Sequence, residues 1–138
     1  MRSFSRLPGS RLLGAALVVG SLGLAFAIRL VTGTMLETTG PLEQISGTAL
    51  YASACYGGVL ILWPRGRPLP VALISIAFCW AVEFFQLTDV PATLSARSVV
   101  ARLVLGRVFD PSDLLWYVVG VLLAVGIHYL TLCRRTAA

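Results

Sequence analysis

Apolar residues along this chain come in long runs separated by short polar interruptions, and no run shows the period-two alternation of a half-buried strand. Crossing a hydrocarbon layer of about 30 Å takes about 20 apolar residues at a rise of about 1.5 Å each. Segments of that order cover residues 12–31, 46–63, 71–87 and 113–133. The first is interrupted only by Arg29 near its end. The second closes on Pro64, the third opens after Pro70, and the fourth follows the Asp110-Pro111 pair. The pattern predicts an all-α fold, a polytopic membrane four-helix bundle, with residues 1–138 in a single membrane domain and no fixed-period repeat.

Composition narrows the class further. The chain of 138 residues is 57% hydrophobic and 12% charged, with a mean hydropathy of +0.86. Soluble domains lie near 45–50% apolar and about 25% charged. These values exclude a disordered tail, a coiled coil and an ordinary soluble enzyme. The lipid bilayer is the expected partner.

Charge then supplies an orientation. There are 11 basic residues, all Arg, against six acids, for a net charge of +5. The Arg residues punctuate the apolar runs and form no patch of the kind that tracks nucleic acid, so no nucleic-acid partner is expected. Arg2, Arg6, Arg11, Arg65, Arg67, Arg134 and Arg135 fall on one side, and Arg29, Arg97, Arg102 and Arg107 on the other. The positive-inside rule places both termini in the cytoplasm, and Trp63 suits the inner interface. The absence of Lys and Asn fits a GC-rich bacterial genome, and hence a bacterial inner (cytoplasmic) membrane.

The first segment has a second reading. Arg2, Arg6 and Arg11, an apolar core and Ala25-Phe26-Ala27 also resemble a signal peptide with its cleavage site. Ala16, Gly20, Gly23 and Ala27 instead favour a retained helix that lets a neighbour approach closely, as do Gly57, Gly58 and the Ala54-x-x-x-Gly58 spacing in the second span. Cys55, Cys79 and Cys133 lie within or at the end of apolar stretches, with no Cys-x-x-Cys and no nearby His. They read as small buried hydrophobes and not as a disulfide framework or metal site. No Gly-rich phosphate loop or other cofactor motif is visible, so no cofactor is expected.

Polar chemistry concentrates late in the chain. Glu83, in Trp80-Ala81-Val82-Glu83-Phe84-Phe85-Gln86-Leu87, stands within a span, where an ionisable group costs about 2.5–3.5 kcal/mol near the centre and calls for a partner. Gln86 shares its face at i+3. In the connection that follows, Val99, Val100, Leu103 and Val104 fall on one face of a helix over residues 97–106, the pattern of a short interfacial amphipathic helix before the last span. Asp110 then reads as an N-cap, Pro111 as the first helical residue, and Asp113 as an acid in the first turn. Asp113 and Tyr117 share a face that continues through Gly120 and Ala124. Glu83, Gln86, Arg97, Asp113 and Tyr117 are therefore the candidate polar pocket, with Arg97 neutralising the acids and Tyr51 near enough to join them. A structural ion-pair knot would carry the same spacing. His128, about 22 Å along the helix from Asp113, is expected at the cytoplasmic interface, away from this cluster.

Glu83-x-x-Gln86, the later Arg97, and Phe109-Asp110-x-x-Asp113-Leu114-x-x-Tyr117-x-x-Gly120 resemble the signature of a bacterial membrane family, domain of unknown function 2809, as does Gly47-Thr48-Ala49-Leu50-Tyr51-Ala52. They are also similar to the wider VanZ-like group. The resemblance covers about residues 47–120 and implies a four-helix inner-membrane protein. Two positions depart from it: Thr48 stands where the second-span motif has an acid, and Tyr117 where VanZ-like chains have Asn.

Three functions remain open at this point. A VanZ-like envelope protein would use an outward polar pocket to bind a lipid headgroup, a cell-wall intermediate or an amphipathic drug. A membrane-embedded enzyme on lipid-linked substrates would use Glu83 or Asp113 as acid or base. A small proton-coupled exporter would need one buried carboxylate, although Glu83 stands closer to one end of its span than to the middle.

Overall fold

The computed structural model describes residues 7–35, 41–101 and 110–137. Among them are the helices α1 (Leu7–Met35), α2 (Pro41–Leu62), α3 (Pro68–Phe85), α4 (Val90–Arg97) and α5 (Pro111–Ala137). There is no strand among the described residues. All but α4 are long and apolar enough to cross a membrane. The all-α four-span architecture is thus as the hydropathy pattern predicts, because apolar segments of this length satisfy their backbone groups only as helices.

Two boundaries differ from the sequence reading. The first two spans reach past their expected bounds at 31 and 46: α1 runs on to Met35 and α2 already begins at Pro41. The helix expected over 97–106 fails at its first residues, because α4 ends at Arg97 and Ser98 is extended, with φ −142° and ψ 129°. Helical structure resumes at 99–101, where the Ser98 hydroxyl accepts the Ala101 amide at 3.3 Å in the manner of an N-cap. Residues 102–106 of that expected helix lie outside the described residues. α4 itself has no counterpart in the sequence reading; its marker is Pro91 in the first turn, where a missing N–H costs nothing.

α2 is the hub. It packs against α1, α3 and α5, and α3 also packs against α5. Tyr56, Leu60, Val71, Cys79 and Val121 are buried in the shared core, while Leu22, Phe26, Phe78 and Leu122 are exposed on the outer face, as lipid-facing side chains are. Thr48 pairs with Asp113 and, farther along both helices, Tyr56 with His128. α2 and α5 therefore run in the same direction. The end of α1, the start of α2, the end of α3 and the start of α5 then lie at one end of the bundle, and the Trp63-Pro64-Arg65-Gly66-Arg67 turn at the other.

Backbone contact sets the helix spacing. A Cβ on Gly14 would stand 2.6 Å from the Gly57 carbonyl oxygen, and a Cβ on Gly120 would run into the Ala49 backbone. Glycine is required at both crossings because the facing atoms belong to the main chain and cannot turn aside. The close approach expected from Gly20, Gly23 and Gly58 is not made there: each faces open space, with nothing within 4 Å of an added Cβ. Small size alone does not choose the packed face. The neighbour's register does, and here it selects Gly14 and Gly57.

Candidate functional site

Glu83 lies in the last turn of α3, and its side chain is fully buried. Both of its oxygens accept hydrogen bonds. The Asp110 amide donates to Oε1 at 2.8 Å, and the Tyr117 hydroxyl donates to Oε2 at 2.9 Å. The first donor is backbone at the entry to α5, where unsatisfied N–H groups and the positive helix end favour a negative group. The second comes from one and a half turns into the same helix. A buried carboxylate is costly unless its oxygens are occupied, and this pair of donors ties the end of α3 to the start of α5. The Trp80 indole N–H adds a bond to the Leu114 carbonyl at 3.1 Å across the same two helices.

The start of α5 is built locally. The Asp110 carboxylate accepts the Ser112 amide at 2.9 Å and the Ser112 hydroxyl at 2.8 Å, while its carbonyl accepts the Asp113 amide at 3.0 Å. One residue thus caps the helix with its side chain and offers its own N–H to Glu83. Asp113, half-buried, accepts from the Thr48 hydroxyl of α2 at 3.2 Å. The Tyr51 ring meets the Tyr117 ring at a centroid distance of 6.0 Å and an angle of 52°. Below this level the Ser53 hydroxyl donates to the Gly120 carbonyl at 2.8 Å.

Of the residues singled out in the sequence, the structure brings Glu83, Tyr117 and Asp110 into direct hydrogen bonding and sets Asp113 in the same turn of α5 as Asp110. Gln86 is half-buried in the turn that ends α3, its amide bonded to the Val82 and Glu83 carbonyls. Arg97 is not among the groups that meet Glu83. It is exposed in the last turn of α4, an element that intervenes between α3 and α5. A main-chain N–H and a phenol occupy the places expected for a guanidinium. Arg102 and Arg107 lie outside the described residues.

The sequence reading missed two contributions, from Thr48 and the Asp110 amide, and left open what Tyr117 does in the pocket. Thr48 registered there as a missing acid, yet its hydroxyl is a donor to one. Tyr117 registered as a lost amide, yet its hydroxyl does a donor's job at Glu83. The Asp110 amide leaves no trace in side-chain patterns; its one signal was the cap itself, which fixes the backbone of that residue. His128 corrects another expectation: it is buried, its Nδ1 lies 2.7 Å from the Tyr56 hydroxyl, and the two rings meet edge to face. Cys133 is likewise exposed, not buried.

Chemically, the arrangement offers carboxylates and hydroxyls at one end of an apolar bundle. Among the described residues there is no group of three or more side chains suited to hold a metal ion. A family model described as protein of unknown function (DUF2809) matches residues 38–121, a stretch that holds every side chain of the site from Thr48 to Tyr117. No solved structure matches the chain.

Proposed function

The chain belongs to the DUF2809 family, and from that premise we propose that it is a bacterial inner-membrane envelope protein, akin to VanZ-like proteins, whose polar site binds the head of an amphiphile at the outer leaflet. Both termini then lie in the cytoplasm, in line with the Arg distribution, and the 86–110 connection lies outside. The ligand class is a lipid headgroup, a cell-wall intermediate or an amphipathic drug, recognised through hydrogen-bond donors or an ammonium group. The observation that carries this reading is the half-buried pair Asp110 and Asp113 set beside fully buried Glu83, where an apolar bundle reaches its end. Acceptors placed there meet a polar head whose tail stays among lipids. Gln86 and Tyr117 border the same place.

A membrane enzyme using Glu83 as general base fits less well, because both Glu83 oxygens already accept bonds that a proton-transfer role would have to break. A proton-coupled exporter is also less favoured, since the carboxylate lies in the final turn of α3 and not near its middle. The test is binding of dodecylamine to the protein in phosphatidylcholine nanodiscs. Asp113→Asn is expected to weaken binding by about tenfold, the equivalent of about 1.4 kcal/mol. Equal binding by the wild type and this variant overturns the reading.

A further inference from the structure

α2 and α3 are joined by the short 63–67 turn and run antiparallel, so a step forward on one matches a step backward on the other. Tyr51 of α2 and Glu83 of α3 stand at one level, because both meet Tyr117: one through ring contact at 6.0 Å, the other through a hydrogen bond at 2.9 Å. One helical turn farther toward the 63–67 end, Tyr51 is followed by Cys55 and Glu83 is preceded by Cys79. Residues four apart share a helix face, so the two cysteines are carried to the same interface. There the thiols of Cys55 and Cys79 come into hydrogen-bond contact, and the Tyr51 hydroxyl reaches Cys55. Both are free thiols; Cys79 is fully buried in the core and Cys55 half-buried against it. Neither takes part in the polar site.

We propose that Cys55 and Cys79 are a redox pair that closes to an intramolecular disulfide between α2 and α3, with a lipid-soluble quinone as the electron acceptor. The two S–H bonds break and one S–S bond forms. The two electrons and two protons released pass to the quinone, which becomes the quinol. The reagent must arrive through the bilayer because the pair lies inside a membrane-spanning interface. The bond would fasten α2 to α3 one turn beneath the Tyr51–Tyr117 contact and so lock the level of the carboxylate site. This inference stands apart from the amphiphile reading and survives its failure.

The experiment uses the full chain in nanodiscs, with exposed Cys133 changed by Cys133→Ser so that only the pair remains. A short-chain benzoquinone, fully substituted on its ring to prevent thiol addition, is supplied without oxygen. The sample is then denatured in acid, alkylated without reductant and weighed intact. The expected result is a mass lower by two hydrogens with no alkyl group added, and two alkyl groups regained after reduction. Adding Cys55→Ser should leave Cys79 fully alkylatable after the same treatment. Two alkylated thiols in the quinone-treated pair, or a quinone adduct in place of the hydrogen loss, overturns the proposal.

Discussion

Tyr117→Phe probes the centre of the site with the smallest change that touches it. The phenyl ring keeps its place against Tyr51, and only the hydroxyl that donates to Glu83 Oε2 at 2.9 Å is lost. Two scales bracket the cost. Hydrogen bonds to charged groups in soluble proteins contribute about 1.5–3 kcal/mol. Bonds between membrane helices average about 0.6 kcal/mol and reach about 1.7, because the unfolded chain in the bilayer finds other partners. Glu83 is fully buried and its other oxygen already holds the Asp110 amide, and among the described residues the phenol is the donor at Oε2. The loss should therefore sit at the top of the membrane range, about 1.5 kcal/mol, or roughly a tenfold shift in the folded-to-unfolded ratio. Equilibrium unfolding in mixed maltoside–dodecyl sulfate micelles, followed by tryptophan fluorescence, measures it. Glu83→Gln keeps one acceptor oxygen for the Asp110 amide and sets an NH2 donor against the Tyr117 hydroxyl. That hydroxyl must turn from donor to acceptor, so the bond to a carboxylate is lost from the other side. The double variant should consequently cost less than the two single changes added together. Strict additivity, or a Tyr117→Phe cost below about 0.3 kcal/mol, would refute the assignment of this bond as the link between α3 and α5.

Gly120→Ala should destabilise the fold by about 1–3 kcal/mol in the same assay, because the added methyl meets the Ala49 main chain and α2 and α5 must separate. Gly20→Ala, facing open space, should change stability by less than about 0.5 kcal/mol, and a large loss there would show that α1 is packed on that face after all. Tyr56→Phe strips the buried partner from His128 Nδ1 and should cost about 0.6 kcal/mol, near the membrane average. Exposed Cys133, at the far end of α5 from the carboxylates, should react with a membrane-impermeant maleimide in inverted vesicles and not in intact cells; the opposite result reverses the proposed orientation.

The spans were legible because hydropathy over about 20 residues is a bulk property, insensitive to detail. Glu83 was legible for the complementary reason: one acid in an apolar run demands an explanation. Its partners were less so. Spacing placed Tyr117 on the right face of the last helix but could not distinguish a phenol used as a donor from one used as filler. The guanidinium of Arg97 was the chemically obvious counterpart, yet the chain between Leu87 and Asp110 folds an extra helix, α4, and leaves Arg97 on its exposed side. The main-chain N–H of Asp110 took that place instead. His128 looked interfacial because counting residues gives depth along a helix and says nothing of what the neighbouring helix presents. Tyr56, on a parallel helix whose register depends on the Gly120–Ala49 contact, could be matched to it only in three dimensions.

That register also explains why polar groups lie where they do. α2 and α5 run in the same direction, and their side chains meet in sequence: Thr48 with Asp113, Tyr51 with Tyr117, Ser53 with Gly120, and Tyr56 with His128. Each is a directional contact, and directional contacts matter more in a bilayer, where apolar surfaces gain nothing by leaving lipid for one another. The glycine crossing in the middle brings the two backbones close, and short side chains such as Ser53 can then reach across. α1 is joined to α2 by a different device, the mutual backbone approach of Gly14 and Gly57, with buried Ser10, Leu17 and Ser21 along the same helix. The family match begins after α1 and ends at the residue following Gly120. It therefore covers the carboxylate end of the α2–α5 ladder and stops short of His128. A swap of α1 for an unrelated span that keeps glycine at position 14 should then leave the Tyr117–Glu83 coupling intact, whereas a one-residue deletion in α5 between Tyr117 and Gly120 should abolish it.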